Sequence, residues 1–261
     1  MSLPLLLAIQ ALASVAAGAA PPAPLVQLWL LPHTHADVGW LELPEALARM
    51  NVSRILSGVV GNMVNDTTGA RRFVWDEMYF LHWWWENTAT AAERAGFARL
   101  VAERRIELVD NGWCQHDMGC TTVDSMLSNW QEGHSWLKEH FGEEARPRVG
   151  WSLDPFGLSA SQATLQSLLG MEAWFFTRVP KTTLANMKAD RTLEFVWRGS
   201  ASLPANQTEI FCHVYESYYC MPVPTYAFEW GPARGAVIPD ASNVVALSAN
   251  LAEIARNSQG C

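Results

Sequence analysis

Charge is scarce in this sequence, and clustered positive charge is absent from it. Only 17% of the residues are Asp, Glu, Lys or Arg, the formal net charge is −8, and no run of Lys and Arg interrupts the acidic balance. A surface that tracks a phosphate backbone needs the opposite sign, so nucleic acid drops out as a partner class. The elements G-x-S-x-G, G-x-x-x-x-G-K-[ST] and G-x-G-x-x-G are all missing. A serine nucleophile elbow, a phosphate-cradling loop and a dinucleotide fold therefore have no support. No internal repeat or low-complexity tract follows the first twenty residues, and no later stretch is long and apolar enough to span a bilayer.

What the chain does have is apolar content. Of its 261 residues 49% are hydrophobic, enough to bury a core and far from the composition of a disordered tail. The length suits one α/β barrel, which commonly takes about 250 residues. Thirteen Trp is a rich supply. Sugar-binding clefts favour flat apolar rings, and cores absorb indoles equally well.

The amino-terminal region reads as a route rather than as a fold. An apolar stretch from Leu3 to Ala13 leads into the small residues Ser14 to Ala20 and then Pro21-Pro22-Ala23-Pro24. This predicts a signal peptide over residues 1–20, with cleavage options ending near Ala17 or Ala19, and a secreted or lysosomal destination. Three sequons agree, at Asn51-Val52-Ser53, Asn65-Asp66-Thr67 and Asn206-Gln207-Thr208. Five cysteines permit two disulfides. The close pairs are Cys114 with Cys120 and Cys212 with Cys220, although spacing alone does not fix the pairing.

Beyond the leader, short apolar runs alternate with amphipathic segments. Strands are expected at Val26–Leu31, Phe73–Trp75, Ile106–Val109, Val149–Leu153, Ala173–Thr177 and Leu193–Trp197. Helices are expected at Leu43–Val60, Thr90–Arg105, Thr122–Phe141, Ser159–Leu169 and Val244–Arg256. Thr90 with Glu93 forms a capping-box pattern, and Gly142 stands just past the third helix. Strand–helix alternation of this kind predicts an α/β fold with a parallel sheet, open or closed into a barrel. In such folds the chemistry gathers in loops after the strand C-termini.

Three polar clusters fall in such loops. After the first strand comes Pro32-His33-Thr34-His35-Ala36-Asp37-Val38-Gly39-Trp40. His35 and Asp37 are two residues apart, so an extended backbone points both to one side. An imidazole beside a carboxylate makes half a zinc site, and His33 shares that side as a ligand or a supporting group. Capping of the next helix is the bland alternative. After the fourth strand stands Asp154, in Trp151-Ser152-Leu153-Asp154-Pro155-Phe156-Gly157. A carboxylate at the mouth of a buried strand needs a cation or donors, and it can complete a His-Asp-Asp set with the first loop. The third cluster, Asn111 to Asp117, offers His116 and Asp117 either as metal or sugar ligands or as plain loop residues.

Taken together, HTHADVGW, WSLDPFG and LEFVWRGS resemble the signatures of glycoside hydrolase family 38, the retaining class II alpha-mannosidases, and in particular their epididymis-specific and lysosomal-type branch. The resemblance covers the mature chain, residues 25–261. It implies a catalytic domain on a parallel seven-stranded (β/α) barrel. It also implies a Zn2+ cofactor held by His35, Asp37 and Asp154, with Asp154 as nucleophile and Trp40, Arg178 and Tyr219 lining the sugar. The implied partners are mannose-containing oligosaccharides, cleaved by double displacement through a glycosyl-enzyme.

Some positions depart from the family pattern. Leu158 replaces a common His after DPFG, and Asp117-Met118 replaces an acidic pair. The family's acid/base Asp and its fourth metal ligand, a His, are expected beyond residue 261, which would leave the barrel incomplete at its C-terminus. The alternative expectation is a truncated, non-catalytic secreted paralogue that binds zinc or mannose. A polysaccharide deacetylase also places zinc on such a barrel, but the closely spaced HTH lacks the H-x(3)-H pair it needs.

Overall fold

Short β-branched and aromatic runs, each too brief to be a helix and apolar on one or both faces, build the sheet of this protein. The computed structural model describes residues 29, 31–110, 112–215 and 219, together with positions 245, 246, 248, 249 and 253. Strands β1 (Phe73–Trp75) and β2 (Ile106–Leu108) pair in parallel. Strands β3 (Val149–Ser152), β4 (Ala173–Phe176) and β6 (Glu209–Val214) continue the parallel arrangement, and β5 (Glu194–Arg198) lies antiparallel on β6. Two backbone bonds extend this series at either side of β1–β2. The Asp110 N–H donates to the Val149 carbonyl at 2.7 Å, joining β2 to β3. On the other side His33 forms a parallel bridge with Val74.

The orientation of β5 departs from the expected all-parallel sheet, and chain length explains it. Only residues 199–208 separate β5 from β6, fewer than the dozen or so a parallel crossover needs. The described residues therefore form a mixed α/β structure with parallel sheets, and the six strands do not close into the seven-stranded barrel expected from the sequence. Most of the first expected strand, the leader at 1–20 and most of the helix expected at Val244–Arg256 lie outside the described residues.

The helices begin and end for local reasons. α1 (Pro44–Leu47) carries Pro at its first turn and runs through a π-turn (Ala48–Val52) into α2 (Ser53–Val64), where Leu56, Val60 and Met63 are buried at helical spacing. α4 (Ala91–Ala102) has the anticipated capping box: the Thr90 hydroxyl accepts from Glu93 N–H, and Glu93 accepts from Thr90 N–H at 2.8 Å. α5 (Val123–Phe141) stops at Gly142, whose φ of 81° suits glycine. α6 (Ala160–Leu168) follows β3. Beside the single turn before β6, three elements carry no expectation from the sequence: α3 (Met78–Asn87), α7 (Lys181–Asp190) and β6. A single turn, α8 (Ala205–Thr208), precedes β6.

Most of the indoles belong to the core. Trp75, Trp84, Trp130, Trp151 and Trp174 are all buried, against exposed Trp29 and Trp40. One apolar cluster packs α2, α3 and α4 around Trp75, Trp84 and Phe97, and a second packs α5 and α6 on β4 and β6 around Trp130, Trp174 and Phe176. Cys114, Cys120 and Cys212 are free thiols, so the Cys114–Cys120 pairing open from spacing is not made. Burial pushes the Cys212 thiol up to about 12. Cys220 and Cys261 lie outside the described residues.

One ion pair closes the chain reversal between α2 and β1. Asp66 accepts from the Thr68 hydroxyl at 2.6 Å, from the Thr68 and Arg71 N–H groups, and from the Arg105 guanidinium at 2.8 Å. The Thr68 hydroxyl first, then the Arg71 and Thr68 amides and Arg105, hold the Asp66 carboxyl down at about 2. Its folded value lies below the unfolded one of about 3.9. The stability it confers is thus present above about pH 4 and lost as pH falls toward 2. The expected outcome is that Asp66→Asn lowers the melting temperature by a few degrees at neutral pH and flattens its fall between pH 4 and 2. Calorimetry across that range checks it.

Candidate active site

The polar groups that gather in one place do so from the C-terminal ends of strands. The His33 bridge feeds the loop of His35 and Asp37, β1 delivers Asp76 and Glu77, and β2 is followed by Gln115. β3 ends just before Asp154, β4 just before Arg178, and Tyr219 lies after β6. Successive parallel strands bring their C-termini to one edge. Residues more than a hundred apart in sequence therefore meet.

His35, Asp37 and Asp154 each present a donor atom, all within 4.8 Å of one another. His35 Nε2 is 3.3 Å from Asp37 Oδ1 and 3.7 Å from Asp154 Oδ2. On the other side of the ring, His35 Nδ1 lies 3.4 Å from Glu77 Oε1. The imidazole side chain is 11% exposed, and both of its nitrogens are buried without a hydrogen-bond partner among the described residues. Burial lowers the proton affinity of His35, but contact with Glu77 and the charges of Glu77, Asp37 and Asp154 outweigh it, so the net shift is upward.

The set fits a divalent cation of the zinc type. Bonds of about 2.1 Å in a tetrahedron place neighbouring donors about 3.4 Å apart. The two separations around His35 Nε2 straddle that value, and this buried nitrogen, without a hydrogen bond, faces both aspartates. One imidazole with two carboxylates is also a donor chemistry that zinc accepts.

Asp154 uses its two oxygens differently. Oδ2 faces His35, whereas Oδ1 accepts from Tyr219 OH at 2.7 Å and from Arg178, through Nε at 2.8 Å and through a terminal guanidinium nitrogen. Arg178 itself adopts φ of 51°, the left-handed region that a non-glycine residue enters at some cost. Its guanidinium also lies over the exposed Phe156 ring at 4.2 Å, a cation–π contact that restrains the side chain from a second direction. Burial, and then the Asp154 carboxylate, push the Tyr219 hydroxyl upward, so it stays a proton donor.

The backbone beneath Asp154 is held by Gln115. Its Oε1 accepts from the N–H groups of Leu153 at 3.1 Å and Asp154 at 2.9 Å, while its Nε2 donates to Asp76 Oδ2 at 2.7 Å. Asp76 and Glu77 are both buried, at 1% and 0% exposure. Glu77 Oε1 accepts from Ala36 N–H at 2.9 Å, which ties β1 to the first loop.

The structure thus brings together five of the residues singled out in the sequence: His35, Asp37, Asp154, Arg178 and Tyr219. Trp40 stays on the same loop but is 76% exposed and stacks on no ring among the described residues. His33 packs edge-on against Trp151 and does not join the donor group. His116 bonds Gln162 at 3.0 Å and Asn129, and Asp117 accepts from the N–H groups of Phe156 and Gly119. Those amides, Phe156 first, hold Asp117 below the usual carboxylate range. Both residues of the third cluster therefore shape loops. Sequence reasoning missed Asp76, Glu77 and Gln115. A signal for the first two was available, because two acids directly after the strand FVW must be buried or solvated together.

Comparison with known proteins adds to this geometry. Residues 25–259 match the family model of the glycosyl hydrolases family 38 N-terminal domain. The chain is 37% identical over 196 residues to the epididymis-specific alpha-mannosidase of Sus scrofa, covering 75% of this chain and 19% of that protein. It is 34% identical over 206 residues to the lysosomal alpha-mannosidase of Cavia porcellus, covering 76% and 20%. The crystal structure of an alpha-mannosidase from Enterococcus faecalis superposes with a TM-score of 0.58 at 18% identity, over 72% of this chain and 20% of that one. That likeness speaks for the fold. The chain spans about a fifth of the length of the curated relatives it matches.

Replacing Gln115 by Met keeps the side-chain volume and removes the acceptor of two buried amides. A loss of about 1–3 kcal/mol in unfolding free energy is expected, measured by chemical denaturation.

Proposed function

Because the chain belongs to glycosyl hydrolase family 38, we propose that it carries the zinc site and the nucleophile of a retaining alpha-mannosidase, on the larger part of a seven-stranded barrel. The substrates are terminal alpha-mannosyl residues of N-glycan-type oligosaccharides, met in the lysosome or after secretion. The observation that carries this reading is the two-sided environment of Asp154, with His35 Nε2 facing one oxygen and Arg178 with Tyr219 holding the other.

His35, Asp37 and Asp154 would hold the zinc, which when bound orients sugar hydroxyls and offsets charge at the cluster. The remaining work falls to the chain. Arg178 and Tyr219 hold the Asp154 carboxylate in one orientation, ready to attack the anomeric carbon. Bond formation between an Asp154 oxygen and that carbon breaks the glycosidic bond, and the departing oxygen takes a proton from a general acid. The resulting ester is then cleaved by water, which returns a proton to that same group acting as base, and the Asp154 carboxylate is restored as leaving group. The same two donors stabilise that charge as it returns. Trp40, exposed on the loop of His35 and Asp37, provides a flat face for a sugar ring.

Secretory routing agrees with the leader-like sequence at residues 1–20. No helix among the described residues is long and apolar enough to cross a membrane. The names of the relatives, alpha-mannosidases throughout those cited, favour a hydrolase over the non-catalytic paralogue considered from the sequence.

Hydrolysis of a nitrophenyl alpha-mannoside, whose nitrophenolate departs without needing a proton, by the purified chain, abolished by a chelator and restored by zinc, is the expected result. Asp154→Ala should lower turnover by at least about 10³-fold, the scale on which loss of a nucleophile acts. Unchanged turnover in that variant would remove Asp154 from the nucleophile's role.

A further inference from the structure

Glu77 is the most deeply buried acid in the neighbourhood of the cluster, and nothing in the reaction proposed above uses it. Its side chain is 1% exposed. A carboxylate taken from water at that depth is costly unless donors or a positive charge answer it. Among the described residues its partners are few. Oε1 accepts from Ala36 N–H at 2.9 Å and lies 3.4 Å from His35 Nδ1, while Oε2 is buried with no hydrogen-bond partner.

The arrangement around the imidazole is directional. One ring nitrogen, Nδ1, faces the single carboxylate of Glu77, and the other, Nε2, faces the carboxylates of Asp37 and Asp154. A neutral imidazole carries one proton and one lone pair. With the proton on Nδ1, pointing at Glu77, the lone pair on Nε2 points at the space between the two aspartates. With the proton on Nε2, the lone pair of Nδ1 would instead meet a buried anion. Neither ring nitrogen makes a hydrogen bond as the side chains stand, and Glu77 Oε1, 3.4 Å away, is the carboxylate oxygen that Nδ1 faces. Three carboxylates around one ring also repel one another unless positive charge enters among them.

We propose that Glu77 is the positioning residue of the cluster: it accepts the Nδ1 proton of His35 and so presents the Nε2 lone pair to a divalent cation between His35, Asp37 and Asp154. The Ala36 N–H bond to the same oxygen makes the device two-pronged. Glu77 fixes the ring's tautomer and, one residue along, the backbone that carries the ring. A carboxylate placed behind a metal-bound imidazole also raises its basicity and tightens the metal. This inference rests on the zinc reading above.

The test measures metal binding, not turnover. Zinc affinity of the purified full chain is determined by competition with a chromophoric chelator, and cobalt(II) absorption reports the ligand field. Glu77→Gln retains the volume and an acceptor for Ala36 but removes the charge, and zinc affinity should fall about 10-fold. Glu77→Ala removes the acceptor as well and should fall about 100-fold, the upper end of the range such partners command. The cobalt(II) band should shift in both. Asp66→Asn, which weakens the distant α2–β1 reversal, serves as the comparison. It should lose thermal stability and keep its zinc affinity, separating positioning from general destabilisation. Should Glu77→Ala not fold, Glu77→Gln alone decides. Zinc affinity of Glu77→Gln within about twofold of the unaltered chain, with an unshifted cobalt band, overturns the inference and leaves the zinc reading intact. If the unaltered chain binds zinc no better than His35→Ala, the zinc reading itself fails and takes the inference with it.

Discussion

Everything near the site depends on one electrostatic imbalance: three carboxylates, those of Asp37, Glu77 and Asp154, converge on a single imidazole. Water reaches Asp37 and Asp154 in part but is largely shut away from His35 and Glu77. Like charges at this spacing raise one another's free energy, and only positive charge among them, or donors fixed to each, makes the arrangement tolerable. The surrounding structure supplies the donors with care. Asp154 receives Arg178 and Tyr219, Glu77 receives Ala36 N–H, and neighbouring Asp76 receives Gln115. The centre of the group, at His35 Nε2, receives none.

The sheet is what allows such a cluster to form. An antiparallel sheet alternates strand directions, so neighbouring C-termini lie at opposite edges. Here His33, β1 and β2 run parallel to one another, as do β3, β4 and β6, and the segments after them hand one or two polar residues each to the same cluster. Local stiffness then refines the placement. The buried apolar residues Trp75 and Leu153 stand immediately beside the polar ones, so each polar backbone starts from a position packed to within the tolerance of a core. The left-handed backbone of Arg178 turns its side chain back across β3 onto Asp154, a direction that ordinary extended geometry would not give.

Much of this was legible in the residues, for identifiable reasons. Phe73–Trp75 and the helices after Thr90 and Thr122 carry strong local signals: a short apolar run in one case, side-chain caps in the others. His35 and Asp37 were legible through two-residue spacing, and Asp154 through its place after a buried strand. Other elements had no such signal. α3 reads MYFLHWWWEN, apolar on most sides, because it buries Met78, Phe80, Leu81 and Trp84 on one face while Trp85 packs against Trp136 and Phe141 of α5. α7 has no fully buried residue and rests only Leu184 and Met187 on the second cluster, so no broad apolar stripe marks it. β6 does alternate, with Ile210, Cys212 and Val214 inward, but its Glu, Cys and His dilute the hydrophobic pattern. The antiparallel β5 was invisible because strand direction is set by the length of the connection, not by the strand's own residues.

The residues that sequence reasoning passed over share a property that explains the omission. Asp76, Glu77 and Gln115 do not face an open cleft; they stand behind the groups that do, and their meaning is relational. An acid after a strand is ordinary until a histidine forty residues away proves to lie 3.4 Å from it. A glutamine in a loop is ordinary until it proves to bridge a buried aspartate and the amide of Asp154. Motif spacing finds groups that act on a shared target, since they must point the same way from nearby positions. Groups that act on one another across strands follow no spacing rule, because the distance between them is set by crossover helices whose length is free to vary. The supporting shell of such a site is therefore written in the topology, and becomes readable only when the strands are in place.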